Sequence, residues 1–115
     1  MYTYKAKLIR IVDGDTIDAE IDLGFDTFVR KRIRLFGIDT PETRTKDMDE
    51  KTKGLAAKQR LTELLNGEFV VETILNKRGK YGRVLGVVYN LLEDNTRLNI
   101  NETLVDEGHA AKYLF

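Results

Sequence analysis

Thr16-Ile17-Asp18-Ala19-Glu20-Ile21-Asp22 is the stretch that decides the fold. Its apolar residues alternate with acids, the period of two that marks a strand with one buried and one wet face. Before it, Lys5 to Val12 is rich in Leu, Ile and Val and reads as a strand. The Asp13-Gly14-Asp15 between them is a hairpin turn signal. After it, Leu23-Gly24-Phe25-Asp26 makes the next turn, and Thr27 to Phe36 makes a third strand. That strand has Val29, Ile33 and Leu35 on one face, and Arg30, Arg32 and Arg34 on the other with Phe28 and Phe36.

Farther along, Ala57, Leu61, Leu64 and Leu65 fall at i, i+4, i+7 and i+8. They predict an amphipathic helix over Gly54 to Leu65, stopped by Asn66-Gly67. Thr43 to Lys53 has many charges and no periodicity, and is expected to be a mobile surface loop. Glu68 to Leu75 and Val84 to Tyr89 are β-rich runs joined by the basic Lys77-Arg78-Gly79-Lys80-Tyr81-Gly82-Arg83, a hairpin with a longer loop. Asp94-Asn95 marks a turn. Asn99 is placed to cap a short helix carrying Ile100 and Leu104 and ending at Gly108. Five short strands with a helix after the third predict an α+β domain. Its architecture is the OB-fold, a five-stranded antiparallel β-barrel with two to three accessory helices.

The 115 residues form a single domain, 1–115, long enough for one core. Hydrophobic residues make up 42% and charged residues 33%, with no apolar run long enough for a membrane span. The opening MYTYKAKLIRI lacks a secretory apolar region. A cytoplasmic location is therefore expected as the sequence stands, or secretion if a signal has been removed. Zero cysteines exclude disulfides and thiolate chemistry, and the lone His109 argues against a histidine zinc site. Nineteen basic and nineteen acidic residues cancel, yet they are segregated. Ile11 to Val29 holds six acids and no base, whereas Arg30 to Arg34 is basic without an acid.

Chemistry concentrates in Arg34-Leu35-Phe36-Gly37-Ile38-Asp39-Thr40-Pro41-Glu42. Pro41, the chain's one proline, fixes its own φ and pushes Thr40 toward an extended conformation. Asp39 and Glu42 thus leave a stiff backbone. Asp15, Asp39 and Glu42 meeting at one barrel rim would repel unless a cation intervened, and Arg34 with Arg83 would then embrace a phosphate on that cation. By pattern alone, Asp13-Gly14-Asp15-Thr16 is more often an ordinary turn, and an arginine-rich strand face is more often an ordinary solvated one. An EF-hand is excluded, because Ile17 and Asp18 stand where a polar ligand and a glycine are required.

Taken in order, Val12-Asp13-Gly14-Asp15-Thr16, the Arg34 to Glu42 stretch and Lys80-Tyr81-Gly82-Arg83 resemble the staphylococcal nuclease (thermonuclease) family over nearly the whole chain. Leu98 to Gly108 also looks like that family's penultimate helix. The resemblance implies Ca²⁺ held by Asp15, Asp39 and the carbonyl of Thr40, with Asp13 behind them. It implies Glu42 as general base or orienter of the attacking water, and Arg34 and Arg83 on the scissile phosphate. Lys80, Tyr81 and Tyr113 match positions that contact the nucleotide. The implied activity is a monomeric, Ca²⁺-dependent nuclease cutting DNA and RNA to 3′-phosphorylated products, with no membrane partner. The alternative is a non-catalytic module of the same kind that binds nucleic acid or protein. Two departures, an end at Phe115 without a long terminal helix and a neutral net charge, imply weaker substrate binding and greater need of metal.

Overall fold

Strand β1 (Thr3–Asp13) pairs antiparallel with β2 (Thr16–Asp22), and β2 pairs antiparallel with β3 (Phe28–Leu35). The alternating stretch is β2, with the boundaries its pattern predicts. The computed structural model describes residues 2–65, 67–78 and 84–113, excepting the side chains of 75–78. A two-residue β4 (Ile38–Asp39) follows, then α1 (Met48–Leu64), β5 (Glu68–Arg78), β6 (Val84–Leu91), β7 (Arg97–Asn99), α2 (Ile100–Asp106) and β8 (Ala111–Lys112).

The main sheet runs β3-β2-β1-β5-β6-β7, and β3 also pairs with β6, closing five strands into a barrel. The closing seam, Ile33↔Val84 to Leu35↔Gly86, is parallel. The expected all-antiparallel barrel is therefore mixed at that seam, a non-local pairing that no turn signal encodes. Register shifts at Leu8/Arg10 and Ile11/Asp13 interrupt the eleven-residue β1. Such bulges bend a strand and add the twist that closure needs.

Alternation sends apolar side chains inward: Ile17, Ala19, Ile21, Ile33, Leu35, Phe69, Val71 and Val88 fill the interior. Leu61 and Leu65 of the α1 region and Ile100 and Leu104 of α2 pack against them. A buried side chain of this size contributes about 1.5–3 kcal/mol. The outer face shows a different order. Asp18 lies opposite Arg32 and Glu20 opposite Arg30. The charges that look segregated along the chain are thus paired across strands.

Helix α1 begins at Met48, six residues before the expected Gly54, so most of the expected loop is helix. Asp47 is the N-cap, accepting hydrogen bonds from the amides of Asp49 (3.0 Å) and Glu50 (3.2 Å). Asp49 and Glu50 also complement the helix dipole in the first turn. Asn99 caps α2 as predicted, accepting from the Glu102 amide at 3.0 Å. Among the described residues no helix is long and apolar enough to cross a membrane.

Candidate active site

The β1–β2 turn delivers Asp15 to the barrel rim, where its side chain is almost fully buried. Its Oδ1 accepts from the Thr16 hydroxyl at 2.9 Å and its Oδ2 from the Thr40 amide at 3.1 Å. Arg34 reaches the same point from the end of β3. Its Nη1 donates to the Leu35 carbonyl at 2.9 Å. Its Nη2 lies 3.4 Å from Asp15 Oδ2 and 3.2 Å from Asp39 Oδ1. Two carboxylates from distant turns therefore share one guanidinium nitrogen.

Gly37, at φ +80°, turns the chain between Arg34 and Asp39, a conformation that favours glycine. Pairing of β4 with β8 then fixes Asp39, through Ile38↔Lys112 and Asp39↔Ala111. Beyond it, α1 sets the position of Glu42. A Cβ at Gly54 would stand 2.5 Å from the Glu42 carbonyl oxygen and 2.6 Å from that of Pro41. Only glycine lets the helix rest directly on this segment. Asp13 accepts a short hydrogen bond from the Thr43 hydroxyl, tying the first turn to the residue after Glu42.

Among the described residues, negative charge is under-compensated here. Burial, then the charge of Asp15, pushes the Asp39 carboxyl above its ordinary range even though Arg34 opposes the shift. Burial also raises Glu42, with Asp13, Asp15, Asp39 and Glu50 adding repulsion. Both shifts disfavour the ionised form, and a cation would relieve them. Thr40 is buried, and its Oγ1 has no hydrogen-bond partner among the described residues. Two carboxylates, a nearby carbonyl and an orphaned hydroxyl are hard oxygen donors of the kind that fit Ca²⁺. Among the described residues no three His, Cys, Asp or Glu side chains form a ready-made metal cluster. A cation here would draw on two carboxylates and complete its shell with carbonyl oxygen and water.

Of the residues singled out by sequence, Asp13, Asp15, Arg34, Asp39, Thr40 and Glu42 lie together. Tyr113 is half exposed, and its amide donates to the Gly37 carbonyl at 2.9 Å. It lines a cleft of about 520 Å³ with Phe36, Ile38, Val87 and Val105, and none of Asp15, Arg34, Asp39 or Glu42 is among that cleft's described lining. Lys80, Tyr81 and Arg83 lie outside the described residues. Sequence reading missed Glu50, whose Oε1 accepts from the Glu42 amide at 3.4 Å, and Gly54 beneath Glu42. The signal for the first was Asp47 followed three residues later by Glu50, a helix-start pattern.

A family model described as "Staphylococcal nuclease homologue" matches residues 32–115. The chain is 36% identical over 116 residues to "Micrococcal nuclease" of Shigella flexneri, covering 97% of this chain and 60% of that protein. It is 33% identical over 107 residues to an "Uncharacterized endonuclease" of Escherichia coli, covering 93% and 60% respectively. It is also 36% identical over 105 residues to "Endonuclease YncB" of Bacillus subtilis, covering 90% and 45%. The chain spans 60% or less of the length of these relatives.

Proposed function

Because the chain belongs to the staphylococcal nuclease homologue family, we propose that it is a Ca²⁺-dependent phosphodiesterase that hydrolyses DNA and RNA to 3′-phosphorylated products. The observation that carries this reading is the pair of carboxylates, Asp15 and Asp39, sharing Arg34 Nη2 beside a Glu42 whose carboxyl is raised. Asp15, Asp39 and the Thr40 carbonyl are the proposed Ca²⁺ ligands, and Asp13 supports them through Thr43. Ca²⁺, when bound, supplies Lewis-acid polarisation of a phosphoryl oxygen.

Glu42 takes a proton from the water that attacks phosphorus, or holds that water in line. The new P–O bond forms as the bond to the 5′ oxygen breaks, and the leaving oxygen takes its proton from solvent water. Arg34 turns part of its fork from Asp39 to the phosphoryl oxygens, where bidentate geometry suits a guanidinium. Arg83 is proposed to act with it on the developing charge. Lys80, Tyr81 and Tyr113 are proposed contacts to the nucleotide. The proposed acting unit is a monomer.

Digestion of end-labelled DNA and RNA in Ca²⁺, Mg²⁺ or chelator, with product ends analysed, tests the reading. Cleavage in Ca²⁺ giving 3′-phosphate ends, abolished by chelator, is expected. Chelator-insensitive binding of intact nucleic acid would instead establish the rival reading, a non-catalytic binding module.

A further inference from the structure

Three arginines flank the proposed site without belonging to it. Arg10, Asp18 and Arg32 are register partners across β1, β2 and β3. Arg32 grips Asp18 through Nε at 2.8 Å and Nη2 at 3.2 Å, and Arg10 Nη2 reaches the same carboxylate at 3.5 Å. Two guanidiniums thus share one carboxylate, leaving a positive charge in excess. Both are well exposed, at 59% and 45% of their side-chain surface. Arg44 is exposed on the loop two residues after Glu42, and makes no ion pair among the described residues.

These three arginines, with Asp13, Thr16 and Glu42, line one cleft of about 660 Å³, a size that accommodates small ligands. Its acids belong to the hairpin turn and the Glu42 segment, whereas Arg10 and Arg32 stand farther along the strands. Thr16 joins the cleft to the reactive centre, since its hydroxyl donates to Asp15. A strand whose scissile phosphate lies by Glu42 therefore has an adjoining path lined by guanidiniums.

We infer that Arg10, Arg32 and Arg44 form a second phosphate-binding subsite, which holds the single strand next to the cut on the Glu42 side. The inference rests on the nuclease reading for its register, not for its chemistry. Guanidinium forks match phosphate oxygens, and contacts to phosphate position a strand without reading its sequence. The subsite therefore favours substrates of several nucleotides over dinucleotides, and binds them in a salt-sensitive, sequence-independent way.

The test is fluorescence anisotropy of the full chain with a labelled single-stranded 12-mer in chelator, so that binding is read apart from cleavage. Each phosphate contact on a single strand contributes a slope of about 0.7 in log affinity against log salt. Arg10→Gln/Arg44→Gln should therefore lower the slope by about 0.7–1.4 and weaken low-salt affinity several-fold, with the melting temperature kept. Arg44→Lys in place of Arg44→Gln, which keeps the charge, should restore most of the lost slope. In Ca²⁺, the ratio of kcat/KM on the 12-mer to that on a dinucleotide should fall about tenfold in the double variant, one decade for contacts of this strength. Unchanged slope and affinity in the double variant, or no 12-mer binding by the wild type, would overturn the subsite. Failure of the wild type to cleave in Ca²⁺, with the slope change present, would remove the nuclease reading and leave the subsite standing.

Discussion

Arg32 and Arg34 leave the same face of β3 two residues apart, and each meets an aspartate of the β1–β2 hairpin. The outcomes are opposite. Arg32 holds Asp18 in a bidentate pair at the surface, and the carboxyl is pulled below its ordinary range. Arg34 is buried between Asp15 and Asp39, yet Asp39 is pushed above its range, because burial and the second carboxylate outweigh the arginine. The outer cluster has a guanidinium to spare, since Arg10 reaches the same carboxylate as Arg32. The inner group sets two carboxylates against one guanidinium among the described residues, and burial makes that imbalance matter. One strand therefore carries a surface cluster with positive charge in excess and, one turn of the pleat away, the site proposed to take a cation.

The comparison is most sharply tested by removing each arginine's contribution. Arg34→Ala should lower turnover on single-stranded DNA by about 10²–10⁵-fold, the range for losing a preorganised charge from a phosphoryl-transfer site. It should also cost about 3 kcal/mol of stability in chelator, measured by urea unfolding, because Asp15 loses its buried partner. Arg34→Lys keeps the charge without the fork, so it should recover stability more than rate.

Gly54→Ala carries the next largest effect. The added methyl must displace the Pro41–Glu42 backbone. A shift of this kind near the chemistry should cut kcat by about 10–10²-fold, with KM moved less, in steady-state assays of a folded variant.

Two small effects should differ in sign. At neutral pH, Asp18→Asn should lower the melting temperature by no more than about 3 °C, as for other exposed pairs. Asp18 is held below its ordinary 3.8, so its stabilisation is present above that value and disappears as pH falls through the lowered one. Glu42→Gln should raise the melting temperature by about 1–2 °C in chelator at pH 7. The folded state holds the Glu42 proton above its ordinary 4.5, so ionised Glu42 opposes folding. The gain should be full above the raised value and gone below the ordinary one. Melting curves between pH 3 and 8 check both.

Local signals made much of this legible. Strict alternation fixed β2, Asn99 announced α2, and the Asp15, Arg34 and Asp39 motifs lie on turns and strand ends that punctuate the sequence. The parallel β3–β6 seam was not legible, because nothing in Ile33 to Leu35 names Val84 to Gly86 as its partner. The first turns of α1 were missed because Asp49, Glu50, Lys51 and Lys53 give no apolar stripe, leaving only Asp47 to mark the start. Glu50 was missed with them. Charge misled in another way: acids in β2 and bases in β3 look segregated in one dimension and alternate across the sheet in two. Gly54 reads as a weak helix residue until the carbonyls it touches are known.

The central claim is that Asp15 and Asp39, under-neutralised by a shared Arg34, hold a divalent cation. Calorimetric titration of Ca²⁺ into wild type, Asp15→Asn, Asp39→Asn and Asp18→Asn at neutral pH tests it most directly. One site in wild type and Asp18→Asn, lost in the other two, is the predicted result. No binding by wild type, or equal binding by Asp39→Asn, would contradict it.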